Sequence, residues 1–150
     1  MKVLVSYDSK FGNTEKLALA MADALSPANN VRLQRVDDGA LDLAAFDLVL
    51  IGGPTHAHGA SAPLKAALSA LPAKSTEGVR VATFDTRFRM TRILTGSAAG
   101  VAGKLLKGTG ASVVEPGESF FVTRGANVTL EPGEIERAAA WAATLAGAAA

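Results

Sequence analysis

The sequence predicts an α/β domain in which a parallel β-sheet is covered by helices on both faces. Short apolar runs alternate with amphipathic stretches along the chain, in the order βαβαβαβαβα. The connections between them are short, as they are where parallel strands are joined through crossover helices. The run Asp47-Leu48-Val49-Leu50-Ile51 is continuously apolar after its first residue, as a central parallel strand buried on both faces must be.

Each element has its own signal. Val3-Leu4-Val5 reads as the first strand, ended by Asp8-Ser9. From Thr14, the residues Leu17, Met21, Ala24 and Leu25 follow helical spacing, and Pro27 with Asn29-Asn30 closes that helix. Val31 to Val36 alternates apolar with polar, the pattern of a half-exposed strand. Asp37-Asp38-Gly39 is a turn, followed by one helical turn at Leu41–Ala45. Gly52-Gly53-Pro54 is expected to stop the central strand. Ser61 is placed to cap the next helix, with Pro63 near its first position and Leu64, Ala67, Leu68 and Leu71 on one face. Val79 to Phe84 is a fourth strand. Ala98, Val101, Ala102, Leu105 and Leu106 mark a helix that ends at Gly108 and Gly110. Ser112–Val114 and Ser119–Val122 form a fifth strand, interrupted at Pro116-Gly117. The last helix runs from Glu134 to Leu145 with Ile135, Ala138, Trp141, Ala142 and Leu145 inward, and its alanine-rich end is expected to fray.

Composition narrows the function. The 150 residues fit one domain, 1–150, with a single core. No cysteine is present, which removes disulfides, thiol catalysis and cysteine-bound metals. Fifteen Lys and Arg against fourteen Asp and Glu leave a formal charge of +1, too balanced for bulk nucleic-acid binding. The opening Met1–Tyr7 lacks the apolar stretch of about 7–15 residues of a signal peptide, and no run reaches the roughly 20 apolar residues of a membrane span. A cytoplasmic protein without a membrane span is expected.

Ligands on such sheets bind beyond the carboxyl ends of the strands, which directs attention to Asp8–Asn13, Pro54–Ser61, Asp85–Gly96 and Pro116-Gly117. The first of these loops reads Ser9-Lys10-Phe11-Gly12-Asn13-Thr14 and joins a strand end to a helix start. Backbone N–H groups at a helix N-terminus favour an anion, Ser9, Asn13 and Thr14 add side-chain donors, and Gly12 lets the backbone come close. This is chemistry for holding a phosphate. The loop lacks the Gly-Lys-Ser/Thr of a nucleotide-triphosphate loop and the Gly-x-Gly-x-x-Gly of a dinucleotide fold.

The segment Val3–Thr14, strand-Ser-x-x-Gly-Asn-Thr-helix, resembles the phosphate loop of flavodoxins, and Ile51-Gly52-Gly53-Pro54-Thr55 is similar to the flavodoxin Gly-x-Pro-Thr. Phe84-Asp85-Thr86-Arg87 stands where the second flavin loop would start, and the spacing agrees along essentially the whole chain. The resemblance implies a flavodoxin-like three-layer sandwich of the short-chain type, a five-stranded parallel sheet of order 2-1-3-4-5, and bound FMN. Carried over, Ser9, Lys10, Phe11, Gly12, Asn13 and Thr14 would hold the FMN phosphate. Pro54, Thr55, His56, Ala57, His58 and Gly59 would line one edge and face of the flavin ring, with Ala57-His58-Gly59 as the turn whose carbonyl could meet flavin N5. Asp85, Thr86, Arg87 and Phe88 would contact the opposite edge.

The departures from that family are specific. The first ring loop offers His56 and His58 in place of Trp or Tyr, and the second offers only Phe88. Two histidines at i and i+2 with no third ligand type nearby make no metal site. Arg87, Arg89 and Arg92 crowd the second loop opposite a lone Asp85, a setting suited either to favouring the anionic reduced flavin at its pyrimidine edge or to receiving an acidic redox partner or a pyridine-nucleotide phosphate. Trp141 reads as a core anchor away from the site, and Tyr7 as a residue that packs or bonds at the sheet end. No Ser/His/Asp order supports a hydrolase, and Gly53-Pro54 stands where a phosphoacceptor domain needs an acid.

The expected function is an FMN-dependent electron carrier working between a reductase and an acceptor protein. The alternative is an FMN-dependent oxidoreductase, such as a quinone reductase or a protoporphyrinogen-type dehydrogenase, with NAD(P)H or a quinone as partner. In the carrier, no side chain acts as a catalyst, because the cofactor does the chemistry.

Overall fold

The computed structural model describes residues 1–147. The alanine end expected to fray, at 148–150, lies outside the described residues. Five strands form the main sheet: β1 (Lys2–Tyr7), β2 (Asn30–Arg35), β3 (Leu48–His56), β5 (Arg80–Phe88) and β6 (Ser112–Val122). They pair in the order β2-β1-β3-β5-β6, every neighbour parallel. Numbered among themselves these are strands 2-1-3-4-5, the expected order. One short strand, β4 (Gly59–Ala60), folds back antiparallel on the end of β3.

Helices α1 (Asn13–Leu25) and α5 (Glu134–Gly147) cover one face of the sheet. Helices α2 (Ala62–Ser69) and α4 (Ala98–Gly108) cover the other. Each face therefore has its own core. Leu17, Met21 and Leu25 meet Val3, Val5, Leu48 and Leu50 on the first. Leu64, Leu68, Ala102 and Leu106 meet Leu4, Val49, Ile51 and Val81 on the second. Val49, Leu50 and Ile51 alternate between the two cores, which is why the run had to be continuously apolar. Phe84, Phe120 and Trp141 make mutual edge-to-face contacts with centroids 5.9–6.5 Å apart, so Trp141 is a core anchor.

The single helical turn expected between β2 and β3 is present, as a 3-10 turn at Leu43–Ala45. Elsewhere the structure departs from the sequence reading. Gly52-Gly53-Pro54 does not end β3, which continues to His56. Its two glycines are needed for close packing: a Cβ on Gly52 would collide with the Phe84 carbonyl, and one on Gly53 would press Leu64. β5 likewise runs past Phe84 to Phe88, and a further short helix, α3 (Arg92–Thr95), follows it. β6 is one strand across Pro116-Gly117, but its register against β5 slips there, with Ala82 opposite Val114 and Phe84 opposite Glu118. Proline has no N–H to give the ladder, and the chain bulges around it.

Two helix faces are rotated from their expected positions. In α1, Ala22 rather than Ala24 is buried. In α5, Ile135 is exposed while Glu134 is turned inward. The Glu134 carboxylate accepts the Phe121 N–H at 2.7 Å and is bridged by Arg137, and these charge-assisted bonds outweigh burial of one isoleucine. Ser61 sits at the N-cap of α2 but makes no capping bond. Its hydroxyl donates instead to Asp8 Oδ2 at 2.5 Å.

Candidate functional site

A cavity of about 410 Å³ opens at the carboxyl ends of β1, β3, β5 and β6, within the usual range for small-ligand sites. Its first wall is the β1–α1 loop. Gly12 lies in the left-handed region, with φ 88°, and is the N-cap of α1. That conformation is open to glycine at no steric cost. Ser9 Oγ accepts from the amides of Gly12 at 3.1 Å and Glu15 at 3.3 Å, so Ser9 braces the loop from within. The amides of Asn13 and Thr14 open the helix and have no acceptor among the described residues, which leaves them to face an anion. Lys10 stands beside them, exposed, with its ammonium 5.4 Å from the Phe11 ring centroid.

Side chains from the loop tie it to the rest of the site. Thr14 and Thr86 share a buried hydroxyl hydrogen bond of 3.1 Å. Asn13 Nδ2 donates to the Val128 carbonyl at 2.9 Å. Asn13 therefore fixes the segment that follows β6, and Val122 and Val128 add apolar lining on that side.

The second wall is the hairpin between β3 and β4. Thr55 pairs with Ala60 and His56 with Gly59, which leaves a two-residue loop, Ala57-His58. Both loop residues have positive φ, 45° and 67°, the mark of a type I′ turn. Neither is glycine, so the turn is held by its surroundings. One support is the parallel bridge between His58 and Gly96. Another is Thr55, whose Oγ1 accepts the Ala98 amide at the start of α4 at 3.1 Å.

The third wall runs from Thr86 to Thr95. Arg87 Nε donates to Ser119 Oγ at 2.9 Å, and Nη1 donates to the Met90 carbonyl at 2.5 Å. Burial pulls the Arg87 pKa below its ordinary value; Asp85 opposes that, and Arg92 and Arg89 reinforce it. Arg89 is clasped by Glu131 at 2.8 Å, and Arg92 donates to the Gly117 carbonyl at 2.9 Å. The crowded arginines are thus partly structural, holding the loop down.

Of the sixteen residues carried over as cofactor contacts, all but Gly12, Gly59 and Asp85 line the cavity, and Arg89 and Arg92 of the basic loop do not line it. Gly12 acts through the backbone turn it permits. Gly59 is buried behind the hairpin next to Val101. Asp85 does not reach the site: it is wholly buried, and its Oδ2 accepts Ser97 Oγ at 2.7 Å and the Ala99 amide at 3.1 Å. On a strand, alternate residues face opposite sides, so Asp85 points toward α4 while Thr86 points toward α1. Met90, Leu94, Thr95, Val122 and Val128 also line the cavity. The first three fall in the Asp85–Gly96 stretch that the sequence singles out as a whole, whereas Val122, at the end of β6, and Val128, beyond it, are brought in only by the fold. Pro116-Gly117 does not line it.

The lining is mainly apolar, with an amide-rich cationic end and no carboxylate. Such a site suits a flat, largely apolar ligand that carries an anionic group. Both the strand order and the cavity's place beyond the strand ends define the class: the chain has the flavodoxin fold.

Solved structures agree with that fold. Flavodoxin 1 from Bacillus cereus is 19% identical, with 98% of each chain covered and a TM-score of 0.81. Flavodoxin 2 from the same organism is 21% identical over 99% of each chain, also at 0.81. The flavodiiron protein from Giardia intestinalis matches 99% of this chain over 36% of its own, with 22% identity and a TM-score of 0.74. No protein-family model and no curated protein sequence matches the chain.

Proposed function

We propose that the chain binds FMN in this cavity and carries electrons between partner proteins. The observation that carries this reading is the joining of an anion-holding turn to an apolar slot. The Asn13 and Thr14 amides and Lys10 stand at one end, and Phe11, Phe88, Leu94 and Val128 lie along the slot. Full-length likeness to flavodoxins supports the same conclusion.

In this reading Ser9–Thr14 hold the phosphate. Ser9 contributes by bracing the turn, because its hydroxyl already accepts two amides. The Ala57-His58 turn and the Thr86–Phe88 strand end flank the ring and exclude water. FMN, when bound, supplies reversible one- and two-electron chemistry, and the surrounding loops tune it. Asp85 and Thr55 keep α4, and with it the third wall, in place. A single domain and a cytoplasmic location belong to the same proposal.

The test is titration of purified protein with FMN and with riboflavin, followed by flavin fluorescence and visible absorbance. Tight binding of FMN and much weaker binding of riboflavin is the expected result. Absence of any flavin binding sinks the reading. Steady oxidation of NAD(P)H with a quinone acceptor by the FMN-loaded protein would make it an oxidoreductase instead of a carrier.

A further inference from the structure

We infer that the mouth of the cavity is a docking surface for a partner protein whose own contact face is acidic. The inference rests on the electron-carrier reading and adds the chemistry of the partner. Lys10 and Arg87 line the cavity, and Arg89, Arg92 and Arg124 border it. Arg124 lies 5.3 Å from the Phe88 ring centroid and also reaches the Met90 sulfur. Against these five cations stand Glu131, held by Arg89, the buried Asp85 beside Arg87, and Glu134, which feels Arg89 but is paired with Arg137. Among the described residues, Lys10, Arg87, Arg92 and Arg124 form no ion pair. A phosphate beside Lys10 would offset that lysine and leave the arginines in excess.

The excess is local, since the whole chain carries only +1. Many acids are committed elsewhere: Asp8 and Asp37 to Arg35, Glu115 to Lys107, Glu118 and Glu134 to Arg137. Amid the cations stand uncovered apolar side chains. Ile93 is 91% exposed, Phe11 66% and Leu94 58%. Apolar knobs set among arginines are the composition of a protein interface. Ile93 and Leu94 are presented by α3, and α3 is held at three points. Arg92 bonds the Gly117 carbonyl, Arg87 bonds Thr95 Oγ1 at 3.3 Å, and Gly96 bridges His58. The knob is therefore pre-positioned, which lowers the entropic cost of docking. A face of this sign attracts a partner of opposite sign and repels one of its own.

The test uses two forms of one probe: native cytochrome c, a basic protein, and the same protein with its lysines succinylated, which is acidic. The first readout needs no flavin. Equilibrium binding to the immobilised chain is measured at low and at high salt, with and without added FMN. Succinylated cytochrome c is expected to bind at least about tenfold more tightly than native at low salt, with the preference lost as salt screens it. Arg124→Glu and Ile93→Ser are each expected to weaken it severalfold while FMN affinity is unchanged. The second readout is electron transfer from the dithionite-reduced, FMN-loaded protein, one electron reducing one ferric haem to ferrous. Its rate should fall with salt for the succinylated form and rise for the native form.

Equal binding of the two forms, or preference for the native form, overturns the inference. Sedimentation with phosphatidylserine vesicles without any preference between the cytochromes overturns it in favour of a lipid surface. If succinylated cytochrome c docks and no FMN binds, the surface stands and the cofactor reading alone falls.

Discussion

His58 and Gly96 are joined by a parallel backbone bridge that ties the β3–β4 hairpin to the end of α3 across the rim of the cavity. The contact leaves no room for a side chain at Gly96, where a Cβ would fall on the His58 carbonyl, and its φ of 72° is itself glycine territory. Two of the three cavity walls are registered against each other by this one pair.

Gly96→Ala should therefore separate the walls. FMN affinity is expected to fall at least about tenfold, and stability by about 1–3 kcal/mol from the strained backbone and the collision. Flavin fluorescence titration and denaturant unfolding measure the two effects. Unchanged affinity would mean that the bridge does not shape the site.

Ala57 has the opposite prospect. It adopts φ 45° in the type I′ turn, with no side-chain reason visible. Ala57→Gly should relieve left-handed strain and leave the protein equally stable or up to about 1 kcal/mol more stable. Thermal unfolding checks the sign, and clear destabilisation would contradict the assigned turn.

Lys10 carries the only charged side chain in Ser9–Thr14, the turn proposed to hold the phosphate. Lys10→Gln should weaken FMN binding several-fold to tenfold and leave riboflavin binding nearly unchanged, so the ratio of the two affinities is the readout. Loss of both in proportion would place the lysine against the ring instead.

Glu134 predicts a pH dependence of stability. Burial would raise its pKa, but hydrogen bonds from Arg137 and the Phe121 amide, and the charges of Arg137 and Arg89, outweigh burial and hold it below the ordinary value. A carboxyl depressed in the folded state stabilises the protein above its unfolded pKa of about 4.3. That contribution fades as pH falls from there toward the lower folded value. Glu134→Gln should be less stable than the parent at neutral pH, with the gap narrowing on acidification below that pH in urea unfolding curves.

Phe120→Ala removes the middle of the Phe84–Phe120–Trp141 cluster, where every ring is edge-on to the others. A loss of about 3–5 kcal/mol is expected in chemical denaturation. A loss below about 1 kcal/mol would mean that the cluster is not a core.

Local pattern determined much of this protein. The doubly buried run at Leu48–Ile51, the helical spacing of Leu17, Met21 and Leu25, and the Ser9–Thr14 turn are all written in neighbouring residues. Side-chain period and backbone conformation are local properties, so the alternation of strands and helices and the glycine turn before α1 are legible there, whereas the strand order is implied by the resemblance to flavodoxins. Tertiary structure decided the rest. The resemblance implies Asp85 as a ring contact, but strand alternation sends it under α4, where Ser97 and Ala99 bind its Oδ2. Glu134 faces inward and Ile135 outward, because Arg137 and the Phe121 amide lie where a carboxylate is needed. Val128 is held at the site by its carbonyl's bond to Asn13, 115 positions away, and by the Val122–Leu130 bridge that closes its loop. Phe121, Ser97 and Ala99 are more than ten positions from the groups they bind, whereas Arg137 is only three from Glu134, and a buried polar group goes where hydrogen bonds are offered to it.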